Sequence, residues 1–177
     1  MSKYVVVDPF LGSPTPVSAT GTVQLFALGL EVRASDAASV KSSANVGGGK
    51  FVYAAGSNVT VLGQWVMLSN SSAVLLASAN SASAFPIGVA AGNLSATNVF
   101  GWVQVQGIAD YVQGTASSIA AGVPLYLCAT AGVLNSVAGL GSRIQGVVAP
   151  VSYTSSQSAA QTVQLFYPFC AGNTAGL

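Results

Sequence analysis

The chain has 177 residues, a formal net charge of +1 and only 5% charged residues beside 51% hydrophobic ones, where about 25% charged is usual. That length suits one domain able to bury about two thirds of its unfolded surface without disulfide or metal staples. The charge balance excludes the clustered Lys and Arg of a nucleic-acid footprint, and no run of about 18 uninterrupted apolar residues exists to cross a membrane as a helix.

Seven of the nine charges, Lys3, Asp8, Glu31, Arg33, Asp36, Lys41 and Lys50, fall in the first 50 residues, and only Asp110 and Arg143 follow. Surface solvation must therefore come from Ser, Thr, Asn and Gln. The opening MSKYVVVDPF has neither a basic region before a long apolar core nor a cleavage site. It sets the expectation of a product that stays in the cytoplasm or joins an assembly built there. A transmembrane barrel is set aside because it would bring a signal peptide and aromatic girdles.

Residues 1–21 read as an extended arm. A strand-forming run, Tyr4, Val5, Val6 and Val7, is followed by Pro9, Pro14 and Pro16 in a Gly/Ser/Thr context that favours unpaired extended backbone. Such an arm either lies on a neighbour or stays a free terminus. The β-branched and aromatic residues of 22–33 predict a strand with Gly29 as a bulge or kink. Residues 35–40 are the only candidate for a helical turn or two, with Ser35 as cap and Asp36 near the positive end of the dipole. Gly47, Gly48 and Gly49 resemble a phosphate loop superficially, but Lys50 is followed by Phe51 and no Gly stands where the motif needs its first. They read as a flexible turn.

Strands are predicted over 51–55, then 64–69 and 73–77 as a hairpin turning at Asn70, Ser71 and Ser72, then around Ile87 to Val89. Three Asn-X-Ser/Thr triplets, at Asn58, Asn70 and Asn93, match the glycosylation sequon but read as turn chemistry without a secretory signal. In 100–110, FGWVQVQGIAD, Trp102, Val103 and Val105 alternate with Gln104 and Gln106 as in a half-buried strand. Trp102 belongs either to the core or to a stacking platform, and the core reading is favoured because a Trp beside Phe in a β domain usually fills it. A strand over 123–127, a tight turn at 129–132, a returning strand from Val133, a strand over 143–148, a polar loop over 155–161 and a closing strand over 162–169 complete the chain.

The later half echoes the earlier one at about 59 residues. Gly63 lies under Gly122, Val66 under Leu125, Leu68 under Leu127, and Val74 and Leu75 under Val133 and Leu134; Val103, Gln104 and Val105 are answered by Val163, Gln164 and Leu165. Either the biased composition repeats by chance, or one hairpin-and-strand unit is used twice, over 63–105 and 122–165. The second reading gives an all-β fold, a compact barrel or sandwich over 22–170, with the arm before it and a short tail over 171–177.

Chemistry is sparse. With no histidine, imidazole-dependent triads and the usual zinc sites are missing. Asp8, Glu31, Asp36 and Asp110 are too scattered for a carboxylate pair or a calcium loop. Cys128 and Cys170 lie in apolar contexts without a cationic neighbour in sequence, which suits packed thiols and leaves a disulfide open. No catalytic residue, cofactor or metal is expected, and the chain does not read as an enzyme.

The order KFVYAAG, GQWVML, FPIGVAAG, FGWVQVQGIAD, AAGVPLYLCATAGVL, GSRIQGVVA and VQLFYPF, over roughly residues 22–170, resembles small virion structural proteins of tailed bacteriophages, of the head decoration or cement type. The resemblance implies an all-β protein, made in the host bacterial cytoplasm and bound as a homo-oligomer to the outside of a capsid, with the major capsid protein as partner. Such proteins often carry more charge. A trimer is the expected oligomer, with Tyr4, Val5, Val6, Val7, Phe10 and Leu11 as assembly contacts. Neither nucleic acid nor membrane is an expected partner. The rival readings are a tail fibre or receptor-binding virion protein, and a soluble carbohydrate-binding β module.

Overall fold

The computed structural model describes residues 4–6, 19–36, 48–59, 61–69, 72–75, 85–112, 118–128, 130–136, 143–150, 152 and 161–170. Its strands are β1 (Tyr4–Val6), β2 (Glu31–Asp36), β3 (Gly48–Ser57), β4 (Trp65–Ser69), β5 (Ser72–Leu75), β6 (Ile87–Ala90), β7 (Phe100–Val112), β8 (Leu125–Leu127), β9 (Leu134–Asn135), β10 (Arg143–Val148) and β11 (Gln161–Cys170). The described residues contain no helix, and the domain is compact and all-β.

The sheet runs β1-β2-β3-β5-β4-β6-β7-β11-β10-β8-β9, and an added β3–β7 pairing closes β3, β5, β4, β6 and β7 into a five-stranded barrel. Closure depends on two long strands that exchange partners along their length. One edge of β3 pairs with β2 from Gly48 to Val52 and with β5 from Ala55 to Ser57, while its other edge pairs with β7 from Lys50 to Ala55. Likewise β7 meets β6 at Val103 and Gln104, then β11 from Gln106 to Val112.

A barrel this narrow has room only for small side chains. One buried cluster takes Ala54 from β3, Val66 from β4, Ala73 from β5, Ala90 from β6 and Val103 from β7, with Val59 and Leu94 beside them. All five barrel strands contribute, so this cluster is the barrel interior. Gly88 shows how little space is left, because a Cβ there would lie 2.4 Å from Val103 Cγ1 and 2.7 Å from the Gln104 carbonyl oxygen. The large side chains point the other way. Phe51, Tyr53, Trp65, Met67, Ile87, Val89 and Trp102 form a second core with Leu125, Leu127, Leu134, Ile144, Val163 and Leu165, so the barrel's outer wall packs on the β8–β11 half.

Two units share one topology. Within β4–β7 the order is β5-β4-β6-β7, and within β8–β11 it is β9-β8-β10-β11, each pair antiparallel. Both open on the same turn. The Gln64 N–H donates to the Val61 carbonyl and the Val123 N–H to the Ala120 carbonyl, Gly63 and Gly122 have φ of 85° and 74°, and their N–H groups donate to Ala90 and Ala149. A third copy of this turn precedes β2: the Leu30 N–H donates to Ala27, and Gly29, at φ 83°, donates to Tyr53. Positive φ at the third turn position selects Gly.

That turn explains one departure from the sequence reading. The strand predicted over 22–33 is instead β2, starting at Glu31, because Gly29 reverses the chain where a bulge was expected. Ser35 and Asp36 are in β2 and do not cap a helix: Ser35 faces Val5 on one edge and Gly48 on the other, and two ladders outweigh one capping residue; residues 37–40 of that candidate helix lie outside the described residues. Gly48 and Gly49 begin β3 and are not a turn; a Cβ on Gly49 would meet the Gln106 carbonyl oxygen at 2.8 Å, so a glycine there lets β7 approach. Finally, the centre of β7 is more buried than a half-buried strand, while Phe100, Gln106 and Ile108 stay partly exposed. Trp102, Val103, Gln104 and Val105 are all buried, with Val103 turned into the barrel and Trp102 into the second core.

Candidate functional site

Two surface features converge where β2, β3, β7 and β11 lie side by side. The first is a row of directly opposed residues. Arg33 on β2 faces Lys50 on β3, Lys50 faces Gln106 on β7, and Gln106 faces Phe166 on β11. Opposed residues project from the same face of a sheet. A parallel row places Ser35 opposite Gly48 and Ile108 opposite Gln164, and where Gly48 supplies no side chain the surface is hollow. The result is a cleft of about 580 Å³ with Arg33, Lys50, Gln106, Gln164 and Phe166 on its walls.

Lys50 is fixed at the cleft's edge. Its ammonium lies 2.9 Å from Glu31 Oε1, donates a short hydrogen bond to the Tyr167 hydroxyl, and sits 5.1 Å from the centre of the Tyr167 ring. The Tyr167 hydroxyl in turn donates to Glu31 Oε1 at 3.0 Å. The hydrogen bond to Tyr167, followed by that to Glu31, raises the Lys50 pKa above its ordinary 10.5. The amine is held as a cation, which suits ion pairing rather than proton abstraction. A cation partnered only in the folded state stabilises the fold fully below its unfolded pKa, and that contribution disappears as pH rises through the raised folded value. Stability of the parent should therefore fall above about pH 10.5, and Lys50→Met should flatten that part of the profile in urea melts across pH 8 to 12. An unchanged slope would remove Lys50 as its source.

The second feature is a bulge. Gln145 pairs with Phe169 and Val147 with Leu165, so β10 passes over Gly146 alone while β11 passes over Phe166, Tyr167 and Pro168. Tyr167 takes φ 51°, and Gly146, opposite it, takes φ 74°. A bulky residue at positive φ stores strain of about 1–3 kcal/mol, and such strain gathers at functional surfaces. What the bulge does is turn aromatic rings outward: Phe166, Tyr167 and Phe169 are 55%, 43% and 47% exposed, with Phe85 at 39%. Pro86 bridges to Phe169, and between them Pro86, Ile87, Val105, Tyr167, Pro168 and Phe169 border an apolar groove of about 180 Å³.

The residues singled out by sequence are placed elsewhere. Tyr4, Val5 and Val6 form β1 and pair with Asp36, Ser35 and Ala34 of their own chain; Val7, Phe10 and Leu11 lie outside the described residues. Trp102 is in the core, 1% exposed. Cys128 and Cys170 are buried free thiols. The aromatic surface was missed, although LFYPF carried a signal for it, since a proline within a strand marks an edge or a bulge. No group of three or more potential metal ligands occurs among the described residues. Comparison with protein-family models, with curated proteins and with solved structures found no match.

Proposed function

We propose that the chain is a structural protein of a bacteriophage virion, a decoration protein that binds the outside of the capsid through the major capsid protein and reinforces it. The observation that carries this reading is the exposed aromatic surface of Phe85, Phe166, Tyr167 and Phe169 on a nearly uncharged chain. Aromatic anchors surrounded by polar residues suit protein contact, and a protein repeated over a lattice needs only modest affinity at each contact because many contacts act together. The second support lies at the ends of the sheet. Among the described residues β1 and β9 are its terminal strands, and an open strand edge can take up a strand from a neighbour.

A trimer remains part of the proposal, with Tyr4, Val5 and Val6 of the terminal strand β1 as its described assembly contacts; Val7, Phe10 and Leu11, the other expected contacts, lie outside the described residues. The protein would be made in the host cytoplasm and end on the virion. Centrifugation of the purified chain with intact capsids and with isolated tails tests the reading. Co-sedimentation with capsids is expected, and Phe166→Ser with Phe169→Ser should weaken it at least tenfold, the loss of about 1.4 kcal/mol or more at a hot spot. Sedimentation with tails alone would favour a tail fibre or receptor-binding protein, and binding to neither would overturn the virion reading. Light scattering on the eluted protein reads the oligomer directly.

A further inference from the structure

We propose that the cleft across β2, β3, β7 and β11 binds a short acidic oligosaccharide, one bearing a carboxylate on a pyranose ring. The inference rests on the cleft alone and holds whether or not the chain belongs to a virion.

The size is suitable. About 580 Å³ lies within the roughly 300–1,000 Å³ of small-ligand sites. Three inter-strand steps of about 4.8 Å separate β2 from β11, so the row from Arg33 to Phe166 is roughly 14 Å long. That is an elongated trough, matched to linked sugar rings rather than to a compact ion.

Charge narrows the class. The cleft walls carry the cations Arg33 and Lys50, but Lys50 is already paired with Glu31. With Lys50 offset by Glu31, Arg33 leaves one net positive charge among the described side chains at the cleft, enough for a single carboxylate and too little for the several phosphates of a nucleic acid. The guanidinium of Arg33 has the planar fork that receives a carboxylate through two parallel hydrogen bonds. The other end of the row supplies the remaining sugar chemistry. Phe166, 55% exposed, offers an apolar ring face to the C–H face of a pyranose, while the amides of Gln106 and Gln164 between them can both donate to and accept from hydroxyls. Gly48 keeps the floor open, since a Cβ there would meet only the Ala34 carbonyl oxygen, at 3.6 Å.

The test is an NMR titration of the full chain with a trimer of galacturonic acid, the matched neutral galactose trimer and inorganic phosphate. Expected are shifts at Arg33, Gly48, Gln106 and Phe166 with the acidic trimer, and affinity at least tenfold weaker for the neutral one. Arg33→Gln should lose at least tenfold, because both charge-assisted hydrogen bonds to the carboxylate go with the guanidinium, and Gly48→Leu should block the trough. Gln164→Ala, which removes a cleft-wall amide and introduces no bulk, should weaken both trimers alike if Gly48→Leu does not fold. Equal binding of the neutral trimer, equal shifts with phosphate, shifts away from the cleft, or an Arg33→Gln protein that binds like the parent would each overturn the proposal. Because no capsid takes part, failure here leaves the virion reading standing, and success does not establish it.

Discussion

Trp102→Ala should lower the unfolding free energy by about 3–5 kcal/mol, the usual cost of truncating a buried aromatic. Trp102 is 1% exposed and faces Tyr53 across the β3–β7 ladder that closes the barrel. Its ring centre lies 4.9 Å from that of Tyr53 and 5.4 Å from that of Phe26. Phe26 meets Tyr53 edge-on at 5.2 Å and Phe100 stacks on Tyr53 at 6.4 Å, so the truncation removes one ring of a four-ring cluster and strips contacts from Tyr53 and Phe26 directly. Aromatic pairs add about 0.5–1.5 kcal/mol each beyond their buried area, which places the loss at the upper end of the range. Urea denaturation should show a lower midpoint with an unchanged slope. A variant that melts like the parent but loses a binding activity would move Trp102 from the core to a ligand platform.

Gly146→Ala is expected to cost about 2–4 kcal/mol, from a left-handed backbone at a residue with a Cβ together with overpacking. The site allows little relief. At φ 74° a Cβ would stand 2.7 Å from the Phe166 carbonyl oxygen, 3.2 Å from Pro168 Cα and 3.3 Å from the Tyr167 carbonyl oxygen, all backbone atoms of the bulge. Since those atoms carry the outward-facing rings, the variant should also lose the aromatic surface before the barrel melts. Fluorescence of an apolar dye at the patch, followed beside circular dichroism, checks the order of events. Simultaneous loss of both signals would mean that the bulge and the barrel unfold as one unit.

Much of the strand pattern was legible because it is local. β-branched and aromatic runs bounded by Gly, Asn and Ser predict β3 through β11 within a few residues, and the correspondence of Gly63 with Gly122 follows from a turn chemistry readable one residue at a time. The copy of that turn at Gly29 reads as a kink in the sequence because its flanking residues are as strand-prone as those of β2. The candidate surface was far less legible. Arg33, Lys50, Gln106 and Phe166 are distant in sequence and become neighbours only through three strand registers, and nothing in a linear reading states a register.

The sequence by itself determined an all-β chain, nearly without charge and without histidine, punctuated by repeated glycine turns. Those properties belong to single residues and to neighbours a few positions apart, where backbone sterics and side-chain chemistry act directly. The tertiary structure decided which face of each strand is inside. It placed Ala54, Val66, Ala73, Ala90 and Val103 within the barrel and the large aromatics outside it, which alternation alone leaves undecided because both faces are apolar. It also decided that Tyr167 and its neighbours face outward. Hydrophobic burial is non-directional, so an apolar residue carries no mark of which partner will cover it, and only the closure of β3 on β7 and the bulge opposite Gly146 assign that.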